Sequence, residues 1–86
     1  MSKFEKSLIK LLRGNSDNSF SFKDLVNLLV KLGFEYRIKG SHHIFYKTGI
    51  EEIVNLQSNS GTAKSYQVKQ VRSIILKYKL GNESKK

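Results

Sequence analysis

The feature that most constrains this chain is a change of hydrophobic period at Gly33. Before it, Leu25, Leu28, Leu29 and Leu32 fall on one face of a helix that Ser21 opens. Asp24 stands three residues beyond Ser21, where a carboxylate can meet the free amides of a first turn. After it, Phe34-Glu35-Tyr36-Arg37-Ile38-Lys39 alternates apolar and charged side chains, as a half-buried strand does. Gly40-Ser41 leads into a second strand over His42–Lys47, and Thr48-Gly49 into a third over residues 50–56. Connections this short imply an antiparallel meander. A polar loop over 57–64 then precedes a last helix, whose stripe is Val68, Val71, Ile75 and Tyr78 and whose end is set by Gly81. Three strands with one apolar face need a cover, and the two helices supply it. The expected class is α+β: helix, three-stranded antiparallel sheet, helix.

Ahead of this unit, Phe4, Leu8, Leu11 and Leu12 mark an amphipathic helix over residues 2–13, stopped by Gly14. Asn15-Ser16-Asp17-Asn18-Ser19 has turn chemistry and no apolar period. The expected division is an additional N-terminal helix at 1–14, a linker at 15–20, the main domain at 21–80 and a flexible basic tail at 81–86. A chain of 86 residues buries only about 60–65% of its unfolded surface. It contains no cysteine to staple it. No apolar run approaches the roughly 20 residues that span a bilayer, and no signal-peptide core is visible. The expectation is a soluble, cytoplasmic protein with no membrane partner.

The net charge is +9 and unevenly spread. Lys3, Lys6, Lys10 and Arg13 face only Glu5 near one end, and the stretch after Ser58 is basic but for Glu83. Such a surface attracts phosphate through counterion release, which points to RNA, although scattered lysines also serve solubility. Both histidines lie in Gly40-Ser41-His42-His43-Ile44-Phe45. Imidazole exchanges protons near neutrality without help from a metal. Neighbours on a strand point to opposite faces, so the two rings do not act on one atom, which argues against an acid–base pair and against a chelate. No metal and no cofactor are expected. Alternation groups His42 with Ile44 and Tyr46, and His43 with Phe45 and Lys47. Both sets are mixed, so the residues alone leave open which ring faces solvent. Most aromatics read as core, with Tyr66 set apart at the start of the last helix beside a basic loop.

Leu32-Gly33-Phe34, then Gly40-Ser41-His42-His43-Ile44-Phe45, then Tyr66-Gln67-Val68-Lys69-Gln70-Val71-Arg72 together resemble the HicA family of toxins. These are small mRNA interferases from bacterial type II toxin–antitoxin pairs. The resemblance spans Ser21 to Leu80 and implies a double-stranded-RNA-binding-domain-like fold. It also implies ribonuclease activity that depends on the histidine of Gly-Ser-His, here His42, and a HicB-type antitoxin that covers the site. His43 is left to strand packing. The chain departs from the family pattern twice. The helix at 2–13 precedes the minimal family domain, and Asn55-Leu56-Gln57 stands where many members carry a Pro and a His.

RNA can be cut without a metal when its own 2′-hydroxyl attacks the adjacent phosphorus. A positioned general base or acid is worth about 10²–10⁴ in rate, and His42 is the candidate. Charge on the phosphate can come from Lys39 and Lys47, which flank the motif, and from Lys64, Lys69 and Arg72 further along. Ser41 can hold the phosphate by hydroxyl or amide, and Tyr66 can stack a base. The competing reading is a non-catalytic RNA-binding module of the same fold, which needs no histidine at the turn. A third is a basic face for an acidic protein. A toxin needs a neutralising protein, so a small neighbouring reading frame should encode one with an acidic contact surface. A gene standing alone and tolerated at high expression would contradict the toxin reading.

Overall fold

Each of the first two helices begins at a serine that accepts a first-turn amide. The computed structural model describes residues 2–81. Ser2 accepts the Glu5 amide at 3.1 Å while the Glu5 carboxylate accepts the Ser2 amide at 3.0 Å, and α1 (Lys3–Arg13) follows. Ser21 Oγ accepts the Asp24 amide at 3.2 Å and opens α2 (Phe22–Lys31). The Asp24 carboxylate reaches Lys3 Nζ at 3.4 Å, joining the two helices. Four strands follow: β1 (Glu35–Lys39), β2 (His42–Lys47), β3 (Ile50–Asn59) and β4 (Thr62–Ala63). They pair antiparallel in the order β1-β2-β3-β4. Helix α3 (Ser65–Tyr78) completes the α+β, double-stranded-RNA-binding-domain-like fold. Phe45, Val54 and Leu56 on one face of the sheet share a core with Leu25 and Leu29 of α2 and Val68 and Val71 of α3.

The sheet has four strands where three were expected. Residues 57–64 are not a loop: β3 runs on to Asn59 and returns through a tight turn to β4. Ser60 and Gly61 both take positive φ, 54° and 91°. That is the requirement of a type I′ hairpin, whose twist matches the flanking strands. A serine in the left-handed region gives little sequence signal, and the segment lacks the β-branched run that marks a strand. The β4 end then ties back to the start of α2, where Ala63 N–H donates to the Phe20 carbonyl at 2.9 Å. Helix α3 also ends earlier than expected. Lys79, at φ 55°, takes the left-handed cap assigned to Gly81. The tail from Asn82 onward lies outside the described residues.

Helix α1 contributes to the same core rather than standing off it. Leu11 has no exposed surface, and Phe20 is buried just beyond the 15–19 turn. Arg72 of α3 holds this segment. Its guanidinium donates two parallel bonds of 2.9 Å to the Asp17 carboxylate and a third, 3.1 Å, to the Leu11 carbonyl near the end of α1. The hydrogen bonds from Arg72 hold the Asp17 carboxyl below its ordinary value.

Helix α3 also closes the long free edge of β3. Gln67 Nε2 donates to the Asn55 carbonyl at 3.2 Å, and the Tyr78 hydroxyl accepts the Glu51 amide at 3.4 Å. The same hydroxyl donates to Glu52 at 2.7 Å, and Lys77 donates to Glu52 at 2.9 Å. Those bonds, from Lys77 and then Tyr78, hold the Glu52 carboxyl down to about 2.

The Arg72–Asp17 pair has a defined pH signature. Its contribution is complete above the unfolded carboxyl value of about 3.9 and is lost as pH falls through the lower folded value. Asp17→Asn should therefore cost about 2 kcal/mol at neutral pH in urea unfolding, and the gap to wild type should close in acid. A gap that stays constant with pH would assign the loss to packing instead.

Candidate active site

The register of the sheet separates the two histidines. On β2, His43 and Phe45 point to the helix-covered face, and His42, Ile44 and Tyr46 to the open one. His43 packs edge-on against Phe22, with ring centroids 5.1 Å apart, and stacks on Tyr36 at 6.1 Å. Its Nδ1 is buried with no hydrogen-bond partner among the described residues. His42 is exposed. Pairing sets Lys39, His42 and Gln57 in one cross-strand row, with Arg37, Ile44 and Asn55 in the next. Glu35 lies opposite Tyr46 at the far end of the same face.

Asn55 is the diagonal neighbour of His42, and its side-chain oxygen lies 2.9 Å from His42 Nδ1. An amide oxygen only accepts, so in the neutral ring this contact makes Nδ1 the donor and leaves Nε2 as an acceptor. The ring lines a groove of about 220 Å³ between the open face and the first turns of α3, together with Ile53, Gln57, Tyr66 and Gln67. Two glutamines brace its wall. Gln57 Nε2 donates to Ser41 Oγ at 3.1 Å, while its oxygen accepts from Lys64 Nζ at 3.3 Å. Gln67, buried, accepts the Lys64 amide at 3.2 Å and donates to the Asn55 backbone. The arrangement fixes Asn55 from behind, and Asn55 in turn orients the imidazole.

Several of the residues singled out in the sequence meet here. Lys39 stands directly across from His42, Ser41 and Lys64 are joined through Gln57, and Tyr66, 63% exposed, stands at the groove. Lys69 lines the adjoining groove, which Tyr66 shares. Two others stand apart. Lys47 lies at the far end of β2 on the covered face, where its ammonium sits over Gly33. The Arg72 guanidinium is taken up by Asp17 and Leu11. Sequence reasoning missed Asn55, Gln57 and Arg37, which only the strand register brings to His42. Tyr36 and Tyr46, expected in the core, are 43% and 39% exposed.

A family model described as HicA toxin of bacterial toxin–antitoxin matches residues 22–78, from the first residue of α2 to the last of α3. No curated protein and no solved structure matches the chain. Among the described residues no helix is long and apolar enough to cross a membrane.

The His42–Asn55 contact makes a prediction independent of activity. Nitrogen NMR of neutral His42 should show the Nδ1–H tautomer in wild type, and a mixture in Asn55→Leu. An unchanged tautomer in the variant would show that Asn55 does not set it.

Proposed function

The chain belongs to the HicA toxin family, a toxin of a toxin–antitoxin system with an antitoxin as its partner, and we propose that it is an endoribonuclease that cleaves mRNA with His42 as the proton-transfer group. The observation that carries this reading is the Asn55 oxygen at His42 Nδ1, which leaves Nε2 as the acceptor on a ring that lines an open groove. In the proposed step Nε2 takes the proton of a ribose 2′-hydroxyl as that oxygen bonds to the neighbouring phosphorus. The bond from phosphorus to the 5′-oxygen breaks, and the leaving oxygen takes a proton from water or from the imidazolium. The products are a 2′,3′-cyclic phosphate and a 5′-hydroxyl, and no metal is needed to make the nucleophile. Lys39, across from His42, and Lys64, held by Gln57, supply positive charge near the phosphate. Asn55 acts as a positioning residue. The reading places the protein in the cytoplasm, with a HicB-type antitoxin covering the open face.

A non-catalytic RNA-binding module is favoured by one feature: among the described residues His42 is the only imidazole at the groove, without a second one to serve as acid. Expression of wild type and His42→Ala in matched cells separates the two. The nuclease reading expects growth arrest and mRNA loss in wild type alone, and a fall of about 10²–10⁴ in the cleavage rate of the purified variant. Equal toxicity of both would remove His42 from the chemistry. Two folded but harmless proteins would favour the binding module.

A further inference from the structure

The nuclease reading does not say whether the RNA at His42 is paired. We infer that the open face of the sheet is a track for unpaired RNA, with bases laid on Tyr66, Ile53 and Tyr46 and phosphates met by Arg37 and Lys39. The inference rests on that reading for the place of the cut, since His42 on β2 lies between the two cations on β1 and Tyr66 on α3.

Three observations carry it. Ile53 and Tyr46 on the open face stand 60% and 39% exposed, and Tyr66, in the first turn of α3 and lining one groove with His42 and Ile53, stands 63% exposed. Exposed apolar and aromatic side chains beside His42 offer a surface that a ligand can cover. Unpaired bases stack on such side chains whatever their sequence, at about 1–3 kcal/mol per base. Next, Arg37 and Lys39 project from alternate positions of β1 onto this face, and neither forms an ion pair among the described residues. They are free to follow a phosphate backbone. Finally, a duplex hides the faces of its bases and offers side chains chiefly phosphates and 2′-hydroxyls. It has nothing to lay on the apolar strip. A-form geometry also holds the 2′-oxygen out of line with the bond to be broken, whereas an unpaired linkage can rotate into line. The fold alone would suggest duplex RNA. The side chains around His42 point to single strands.

The test uses the full chain carrying His42→Ala, so that RNA stays intact, with fluorescent oligouridylate as probe and the same strand annealed to oligoadenylate as its duplex. Oligouridylate should bind about tenfold or more tightly than the duplex, and Tyr46→Ser should weaken it about tenfold. Arg37→Gln should lower the slope of log affinity against log salt by about 0.7, the loss of one single-strand phosphate contact. Thermal melting checks that both variants fold, and their exposed positions favour that. Preference for the duplex, or unchanged oligouridylate binding in both folded variants, would overturn the track. So would a face that binds neither RNA, as one reserved for a protein would. Cleavage by the wild-type chain is read separately. Cleavage with unaffected variants defeats the track and leaves the nuclease standing, whereas impaired variants without wild-type cleavage do the reverse.

Discussion

The pairing of β2 with β3 is the constraint on which core and site both depend. With Phe45 opposite Val54 and His43 opposite Leu56, the apolar side chains of both strands enter the core together. The same register puts Gln57 beside His42 and Asn55 on its diagonal, facing the other way. Side chains alternate with a period of two, so a slip of one residue would expose Phe45 and bury His42. The burial of Phe45, Val54 and Leu56 therefore holds the imidazole and its amide partner in place. Beyond Val54 the pairing shifts, with Lys47 meeting Ile50, and Ile53 lies on the open face within that irregular stretch.

Helix α3 converts this sheet into a site. Without it β3 would present a long unpaired edge, and Gln67 and Tyr78 answer that edge at Asn55 and Glu51. Gln67 has a second consequence, because fixing the Asn55 backbone fixes the carboxamide that orients His42. The opposite side of α3 carries Arg72, which draws in the end of α1 and the turn after it. Helix α1 lies before the segment matched by the family, yet it supplies Leu11 to the shared core. One helix thus links the groove at His42 to the part of the chain that the family pattern does not cover.

The elements governed by local chemistry were legible in the sequence. Ser21 and the leucine face gave α2, alternation gave β1, and the two-residue turns gave the β1-β2-β3 meander. The β3–β4 hairpin escaped because its turn rests on a serine at positive φ and its strands are polar. The role of α1 escaped because Asp17 looked like turn chemistry, and its partner Arg72 lies 55 residues away. The same distance hid the commitment of Arg72, which sequence reasoning had offered to RNA. At the site, alternation told that one histidine faces inward but not which. Phe22 and Tyr36, from two other elements, decide that. Asn55 and Gln57 read only as a departure from the family pattern, since nothing local distinguishes an amide that orients a ring from one that meets water.

The central claim is chemical: the proton that leaves is that of the RNA's own 2′-hydroxyl, and Nε2 of His42, freed for the task by Asn55, accepts it. An RNA cut in this way carries its history in its ends. The most direct measurement is therefore the end chemistry of RNA digested by the purified, antitoxin-free chain. The account predicts 2′,3′-cyclic phosphate and 5′-hydroxyl termini, absent when His42→Ala replaces the wild type. Termini bearing 5′-phosphate and 3′-hydroxyl would mean that water, not the ribose, was the nucleophile, and would contradict it.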